Sequence, residues 1–333
     1  MKIILPFFIL ALIVSFVYLG TKFPEGHILF GIIVPYICFA FAIVGFVTKI
    51  LKWAVSPVPF NITTVCGQQK SLNFLGHNPI ESPASRWGVF FRMLFEILFF
   101  RSLLRNEKVE LYGKEKRLIY GSDRYLWIFA ILFHWSMLVI LLRHMKFFLE
   151  PIPSWIIMLQ NLDGIFQSHI PSVYLSNVLI FIGLVFLFIR RLKRRILYIS
   201  LPSDFFVLFL IGAVIISGVL LRYVYRADIL LVKAFLLGLI YLNPVPYSGF
   251  GTMFYTHLCL VSVFIAYLPY SKLMHMAGVF LSPTRNLRND SRAKRHINPW
   301  NYPVKEHTYK EWEEEFKDAL EEANIPLEDE NKG

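Results

Sequence analysis

The chain has 333 residues, of which 56% are hydrophobic and 17% aromatic, and its mean hydropathy is +0.53. These values exceed those of ordinary soluble domains, so the composition excludes a conventional water-soluble enzyme and indicates an integral membrane protein. The formal net charge of +11 is better explained by membrane topology and anionic lipid than by a nucleic-acid partner.

Six apolar runs are long enough to cross a hydrocarbon core of about 30 Å, which takes about 20 helical residues. The first run lacks a small-x-small cleavage site and is interpreted as an anchor rather than a signal peptide. The sequence therefore predicts an all-α membrane protein with six transmembrane helices. The runs cover residues 3–20, 27–48, 125–149, 173–189, 203–221 and 251–278.

Lysine and arginine are distributed unevenly among the connections between these runs. The connection 49–124 carries twelve of them, the turn RRLKRR (190–195) follows the fourth run, and the tail from Lys272 carries ten. The opposite connections are poorer in positive charge. Because cytoplasmic loops retain Lys and Arg, these three segments are predicted to lie inside, with both termini cytoplasmic and the chain in the cell membrane.

The first two runs form an N-terminal part, residues 1–53, and a cytoplasmic loop, 54–124, follows them. Within this loop, RWGVFFRMLFEILFFRSLLR (86–105) repeats charges at i, i+4 among Phe and Leu. This pattern predicts an amphipathic helix in the membrane interface with its charges facing water. A seventh span is the alternative. Ser122 or Asp123 is a candidate N-cap for the third span.

The C-terminal segment, 281–333, is predicted to be a cytoplasmic docking tail. Its basic, Pro-punctuated first part, 282–303, is expected to be extended, and Thr308 and Glu311 then form a T-x-x-E capping box. Because a single amphipathic helix has nowhere of its own to pack, it predicts a partner. A mobile solubilising tail is the alternative. Three apolar side chains follow on one helical face: Trp312, Phe316 and Leu320.

Four of the nine histidines lie in apolar runs, where an unpaired imidazole is costly. His134 and His144 are ten residues apart on the third run, and His257 and His275 are eighteen apart on the sixth. Since these runs are antiparallel, His144 comes level with His257 on the outer side and His134 with His275 on the inner side. Two stacked imidazole pairs in a helical bundle suit the axial ligation of two haems b. Zinc or copper would want further ligands nearby.

The two histidine spacings do not match along straight helices. At about 1.5 Å per residue, the first pair is separated by about 15 Å and the second by about 27 Å. A difference in helix tilt and a bend at Pro269 are expected to absorb part of this mismatch. Eighteen residues equal five whole turns, which would keep His257 and His275 on one face of a continuous helix.

This histidine spacing resembles that of the NarI family, the di-haem cytochrome b membrane anchors of respiratory nitrate reductases. The resemblance covers about 125–280 and implies a four-helix haem b core there, with His134, His144, His257 and His275 as axial ligands to haem iron. Within that superfamily, the tail SPTRNLRNDSRAKRHINPWNY followed by HTYKEWEEEF, together with the loop 54–124 and the first two runs, resembles the DsrM family of the DsrMKJOP complexes.

The DsrM resemblance implies a function in dissimilatory sulfur metabolism. Such a subunit exchanges electrons between menaquinol and a cytoplasmic iron–sulfur subunit similar to heterodisulfide reductase (DsrK), which serves the reduction of a DsrC trisulfide. The other implied partners are a membrane subunit (DsrP), a multihaem cytochrome c (DsrJ) and an iron–sulfur protein (DsrO). The alternatives are a cytochrome b of a nitrate reductase, hydrogenase or Hme/Tmc-type complex and, from a different class, a proton-coupled transporter.

The NarI resemblance also implies a quinone site beside the outer haem. A charged side chain there can serve the quinone oxygens as a hydrogen-bond partner or bind a haem propionate. Simpler roles exist for each candidate, such as a lysine that reaches toward lipid headgroups. The side chains nearest in the predicted topology are Arg143, Lys146, Asp163 and His169.

Overall fold

The apolar runs fold into α-helices, because a chain in a membrane must satisfy its backbone hydrogen bonds within each segment. The computed structural model describes residues 1–56, 68–72, 74–104, 108–113, 117–165, 172–245, 249–281, 285–294, 303 and 305–327. Its helices are α1 (Ile4–Gly20), α2 (Pro24–Ala54), α3 (Arg86–Phe99), α4 (Arg101–Leu104), α5 (Arg124–Phe147), α6 (Ser154–Asp163), α7 (Leu175–Leu192), α8 (Arg194–Ile199), α9 (Pro202–Tyr223), α10 (Ile229–Ile240), α11 (Thr252–Tyr267), α12 (His275–Leu281), α13 (Tyr309–Glu315) and α14 (Lys317–Glu322).

Two short antiparallel ladders accompany the helices. Strands β1 (Lys108–Tyr112) and β2 (Arg117–Gly121) pair in the connection before α5, with Lys108 opposite Gly121. Strands β3 (Gly164–Ile165) and β4 (Val173–Tyr174) pair between α6 and α7. The second ladder holds the end of α6 beside the start of α7, which matters for the polar cluster described below.

Within the described part of the chain, five helices are long and apolar enough to cross a membrane, by length and composition: α2, α5, α7, α9 and α11 with its extension to Tyr270. They coincide with the second to sixth predicted runs, so the chain is a mostly helical, multi-pass membrane protein. The first run forms α1, an apolar helix of 17 residues. This is shorter than the roughly 20 residues that an untilted span needs, and a sixth span therefore stays a prediction.

The spanning helices pack as a series in which α5 lies against α7, α7 against α9, and α9 against α11. The glycine Gly183 permits a close approach of α7 to α5, since a Cβ there would lie 3.2 Å from the backbone nitrogen of Phe133. In contrast, α5 and α11 make few close backbone contacts in the described part of the chain. The helices that carry the two histidine pairs are thus joined mainly through α7 and α9.

Helices α1 and α2 flank this series. Helix α1 lies against α9 and α11, and α2 packs along α11. A largely aromatic core joins α1, α2, α10 and α11, and its buried members are Val17, Phe30, Val232, Phe235, Phe250, Phe254, Tyr255 and Cys259.

Helix α3 is amphipathic as predicted, but Arg92 and Glu96 on its charged face point toward the protein rather than toward water. Arg92 is only 7% exposed, and the Glu96 carboxylate accepts hydrogen bonds from Ser102 and pairs with Arg285 at 2.8 Å. Trp87, by contrast, is 72% exposed. The prediction that these charges face water is wrong for Arg92, which is buried, and for Glu96, which pairs with a segment distant in sequence, while Arg105 lies outside the described residues. Burial lowers the pKa of Arg92, and the nearby Glu81 and Glu96 carboxylates oppose that shift.

The sixth predicted run is broken where the sequence predicts a bend. Helix α11 ends at Tyr267, a 3-10 turn follows at Leu268–Tyr270, and Ser271 is extended at φ −113°, ψ 175°. A second 3-10 turn, Lys272–Met274, leads into α12. The bend at Pro269 is confirmed. The helix is not continuous, however, so counting whole turns between His257 and His275 does not apply.

The two local capping predictions are confirmed. Asp123 caps α5 by accepting from the backbone N–H of Leu126, and Thr308 and Glu311 form a reciprocal capping box at the start of α13. The predicted tail helix is interrupted at Phe316, so α13 and α14 are separate short helices. Leu320 is 7% exposed, whereas Trp312 and Phe316 are 41% and 45% exposed.

Candidate cofactor site between α5 and α11

The inner predicted histidine pair is brought together. The rings of His134, on α5, and His275, at the start of α12, have centroids 6.1 Å apart and planes at 82°. An imidazole nitrogen binds a metal ion at about 2 Å and its ring centroid lies roughly 1 Å further back, so two imidazoles on opposite sides of one iron have centroids about 6 Å apart. The inner pair therefore fits bis-histidine ligation.

Local hydrogen bonds set the tautomer of three of the histidines. In each of His134, His144 and His275, Nδ1 lies 2.7 Å from a backbone carbonyl oxygen three or four residues earlier. Because a carbonyl oxygen only accepts, Nδ1 carries the proton and Nε2 keeps its lone pair. A donated Nδ1–H bond of this kind both orients a metal-ligating imidazole and raises its basicity.

The fourth histidine, His257, is oriented by another helix. Its Nδ1 lies 2.9 Å from Ser217 Oγ on α9, and that hydroxyl donates to the carbonyl of Val214 at 3.1 Å. The hydroxyl therefore accepts from Nδ1 and leaves Nε2 for a ligand. The next residue, Gly218, lies under the ring, since a Cβ there would be 3.1 Å from His257 Cε1. The pairing of His257 with His144 in an outer site stays a prediction.

The donor set of each pair suits haem b. Two imidazole nitrogens are an axial set for haem iron, and the flanking helices supply an apolar environment for the macrocycle. His144 and His275 are exposed and the other two histidines are half-buried, although all lie on apolar helices where an uncompensated polar ring is costly. Among the residues that the structure describes, no three His, Cys, Asp or Glu side chains group around a point that could hold a metal ion.

An aromatic contact that the sequence analysis did not identify abuts the inner pair. Phe100 adopts a left-handed conformation (φ 47°, ψ 48°) at the end of α3 and meets His134 edge-on, with ring centroids 4.9 Å apart. Two tryptophans of α5, Trp127 and Trp135, donate to the last carbonyls of α3 at 2.6 and 3.1 Å. These bonds satisfy helix-end acceptors and hold Phe100 against the histidine.

A buried carboxylate, also missed from the sequence, supports the segment that carries His275. The Asp204 side chain is 4% exposed and binds Lys272 at 2.8 Å and Arg191 at 3.1 Å. The carbonyl oxygen of Lys272 is the acceptor for His275 Nδ1. Asp204, at the start of α9, thus anchors the short 3-10 turn that presents the histidine.

Two of the four candidate quinone or propionate contacts, Arg143 and Asp163, bind each other near the outer pair. Arg143 Nε lies 3.0 Å from Asp163 Oδ2, and both side chains are buried. Asp163 also accepts from the backbone N–H and hydroxyl of Ser176 at 2.8 and 2.6 Å. Its oxygens are therefore well satisfied. The guanidinium of Arg143 stacks 3.7 Å above the ring of Tyr174.

The third candidate, Lys146, and an arginine that the sequence analysis did not single out, Arg222, lie in the same cluster. Lys146 Nζ donates to Gln160 at 2.8 Å, and Arg222 stacks against Tyr174 at 4.3 Å. Lys146, Arg143 and Arg222 all act electrostatically on His144. The fourth candidate, His169, lies outside the described residues. An open pocket of about 190 Å³ borders this cluster, lined by Gln160, Asn161, Gly164, Ser172 and Tyr174.

The fold and these residues define a class: a multi-pass helical membrane protein with four imidazoles on apolar helices, and two of these imidazoles have ring centroids 6.1 Å apart. The family model described as nitrate reductase gamma subunit matches residues 87–291. The chain belongs to this family, and the predicted likeness to NarI is confirmed at that level. The matched range begins in α3 and extends past α12, so it includes α3 and the segment that holds Arg285.

Two archaeal relatives are similar over most of their length. One, from Archaeoglobus fulgidus, is 44% identical over 281 residues, which cover 82% of this chain and 83% of the relative. The other, from Archaeoglobus profundus, is 41% identical over 278 residues, covering 80% and 81%. Both carry the name "Hdr-like menaquinol oxidoreductase cytochrome b-like subunit".

Proposed function

We propose that this chain is the membrane cytochrome b subunit of a menaquinol oxidoreductase complex. It would hold two haems b, an inner one between His134 and His275 and an outer one between His144 and His257. The observation that carries this proposal is that all four imidazoles have a hydrogen-bonded Nδ1, with the inner rings 6.1 Å apart. The family membership and the names of the two relatives support it.

The chain's own side chains would bind and insulate the cofactors. When bound, the haems supply two one-electron carriers, one near each membrane surface. Each histidine presents Nε2 because its Nδ1 is occupied, and Phe100 covers one edge of His134. The buried side chains of α5, α7 and α9, such as Phe133 and Ile180, keep water from the space beside the inner pair.

Menaquinol is proposed to bind on the outer side, beside His144. Lys146, whose only described hydrogen bond goes to a neutral amide, can donate to a quinone oxygen, and the pocket beside Gln160 has room for part of a ring. Arg143 and Asp163, as a buried ion pair, would form one wall of this site. His169 belongs to the same proposed site by its position in the sequence.

The proposed electron acceptor is a cytoplasmic iron–sulfur subunit similar to heterodisulfide reductase, as the word "Hdr-like" in the relatives' names suggests. A DsrK-like subunit, with DsrP-, DsrJ- and DsrO-like partners in dissimilatory sulfur metabolism, is the specific form we propose. Both termini would lie in the cytoplasm, with the chain in the cytoplasmic membrane. The family description favours a second candidate, a nitrate-reductase-like complex, and co-purification of native partners distinguishes the two.

The haem assignment is tested by a visible spectrum and by single substitutions of the histidines. The purified protein should show a Soret band and two b-type haems. His144→Ala or His257→Ala should remove the outer haem alone, and His134→Ala or His275→Ala the inner one alone, because one remaining imidazole retains haem weakly. His27→Ala, a histidine outside both pairs, is the matched control and should retain both haems. Absence of a Soret band from protein produced with an ample supply of haem would contradict the proposal, as would loss of both haems from well-folded single variants.

A further inference from the structure

The polar cluster beside His144 contains more positive than negative charge among its described side chains. Arg143 and Arg222 stack on the ring of Tyr174, and Lys146 follows two residues after His144. The carboxylate bound to Arg143 is that of Asp163. Asp163 is committed to Arg143 and Ser176. A partly buried group of charges with an excess of one sign is costly unless an opposite charge joins it. Binding of an anion beside these side chains would therefore be favourable.

Arg222 is the arginine of the cluster that has no carboxylate partner in the described structure. The Nε of Arg143 also makes no hydrogen bond of good geometry, but it lies 3.0 Å from Asp163 Oδ2. The guanidinium of Arg222 stacks on one side of Tyr174 and that of Arg143 stacks closer, at 4.3 and 3.7 Å. Arg222 Nη2 donates to the carbonyl of Ser172 at 3.3 Å, but its buried Nε has no hydrogen-bond partner in the described structure. A buried N–H without an acceptor is unfavourable, and an incoming carboxylate would supply the missing acceptor.

The position of Arg222 limits which anion can reach it. It lies in the last turn of α9, the helix that also supplies Ser217 to His257. It therefore lies one to two helical turns beyond the serine that orients His257, and its guanidinium shares the ring of Tyr174 with Arg143, the residue before His144. Haem b carries two carboxylates on one edge, and planar guanidinium groups bind carboxylates strongly, often through two parallel bonds.

We propose that Arg222 binds a propionate carboxylate of the outer haem. This inference rests on the proposed haem assignment and adds a residue that orients the macrocycle about the line from His144 to His257. Arg143 is excluded from that task by its ion pair with Asp163, and Lys146 stays free for the quinone. The chemistry recognised is an anionic oxygen group, which the phosphate of a lipid headgroup could also supply.

The test uses the purified full chain with both haems, comparing Arg222→Gln with Arg226→Gln. Arg226 is an exposed arginine just after the same helix, so its substitution removes the same charge at the same end of the molecule. For R222Q we expect a shift of the outer haem's propionate bands in resonance Raman spectra and a lower midpoint potential of the outer haem. Loss of a nearby cation favours the more positively charged ferric form. The inner haem, and both haems of R226Q, should be unchanged.

Two further measurements distinguish a haem propionate from a lipid phosphate as the bound anion, and a failure of R222Q to fold from a failure of the proposal. The R222Q effect should be equal in phospholipid-free detergent and in phosphatidylglycerol nanodiscs; an effect seen only with phospholipid assigns Arg222 to a headgroup and overturns the proposal. If R222Q does not fold, Arg222→Lys, which keeps the charge but loses the planar fork, should still shift the propionate bands. Unchanged bands in a two-haem variant overturn this inference alone, whereas a wild type without haem overturns the proposed function itself.

Discussion

The hydrogen bond on each Nδ1 decides which imidazole nitrogen is left to bind a metal. For three histidines the acceptor is a carbonyl of the histidine's own segment, so the geometry follows from the local chain. His257 depends instead on the hydroxyl of Ser217, which belongs to another helix. A substitution at Ser217, which is distant from His257 in sequence, should therefore change the properties of the outer site.

Replacing Ser217 by Ala should raise the midpoint potential of the outer haem and leave the inner haem unchanged. The donated Nδ1–H bond makes the imidazole a stronger donor and so favours the ferric form; without its acceptor that preference weakens. A redox titration followed in the haem α-bands measures both centres at once. Ser262→Ala is the matched control, because Ser262 is also a buried serine, bonded to a carbonyl of its own helix. An equal shift in both variants would contradict this prediction.

The break between α11 and α12 is what brings His275 to His134. A continuous helix would carry His275 about 27 Å beyond His257, whereas the two 3-10 turns and the extended Ser271 redirect the chain. Asp204 stabilises this irregular segment through Lys272. Irregular backbone at membrane depth is tolerated where the protein itself satisfies its polar groups.

Substitution of Asp204 by Asn should disturb the inner haem selectively. The amide cannot pair with Lys272 and Arg191, and the loss of a buried charge partner should lower the free energy of unfolding by about 1–3 kcal/mol. We expect a changed low-spin electron paramagnetic resonance signal or partial loss of the inner haem, with the outer haem intact. Asp228→Asn, which alters an exposed N-cap of α10, should leave both signals unchanged. Identical spectra for D204N and wild type would contradict the anchoring role.

The segments around α3 and after α12 are linked to one another by direct contacts. Arg285, which follows α12, pairs with Glu96 of α3, and the backbone N–H of Asn289 donates to the carbonyl of Pro83. Asn289 is fully buried. The chain after the last spanning helix is thereby held beneath α3, whose last residues contact the inner histidine pair through Phe100. Beyond it, Trp312 and Phe316 leave almost half of their surfaces exposed.

Truncation after residue 303 should leave both haem spectra intact but release the iron–sulfur partner or slow reoxidation of the cytochrome by it. Burial of Trp312 and Phe316 on a partner would contribute about 1.5–3 kcal/mol each before ordering costs. Trp312→Ala with Phe316→Ala in the full chain should act in the same direction, while Lys317→Ala on the exposed surface should not. Wild-type stoichiometry and reoxidation rate after truncation would show that the tail is a solvated appendage.

The sequence by itself determined the local features of this protein. A bilayer forces each spanning segment to close its own hydrogen bonds, so apolar runs such as 173–189 and 203–221 predicted α7 and α9 to within a few residues. The capping box at Thr308 and the bend at Pro269 likewise depend on neighbouring residues. The four histidines stood out because ionisable groups in apolar helices need a compensating role.

Contacts between distant segments were decided only by the tertiary structure. Periodicity shows that α3 has two faces but not which one meets the protein; its pairing with Arg285, 189 residues away from Glu96, turned the charged face inward. Asp204 and Arg222 looked like ordinary helix-end residues until folding placed them against Lys272 and Tyr174. Packing free energy depends on which surfaces meet in three dimensions, and the amino-acid pattern along one helix does not contain that information.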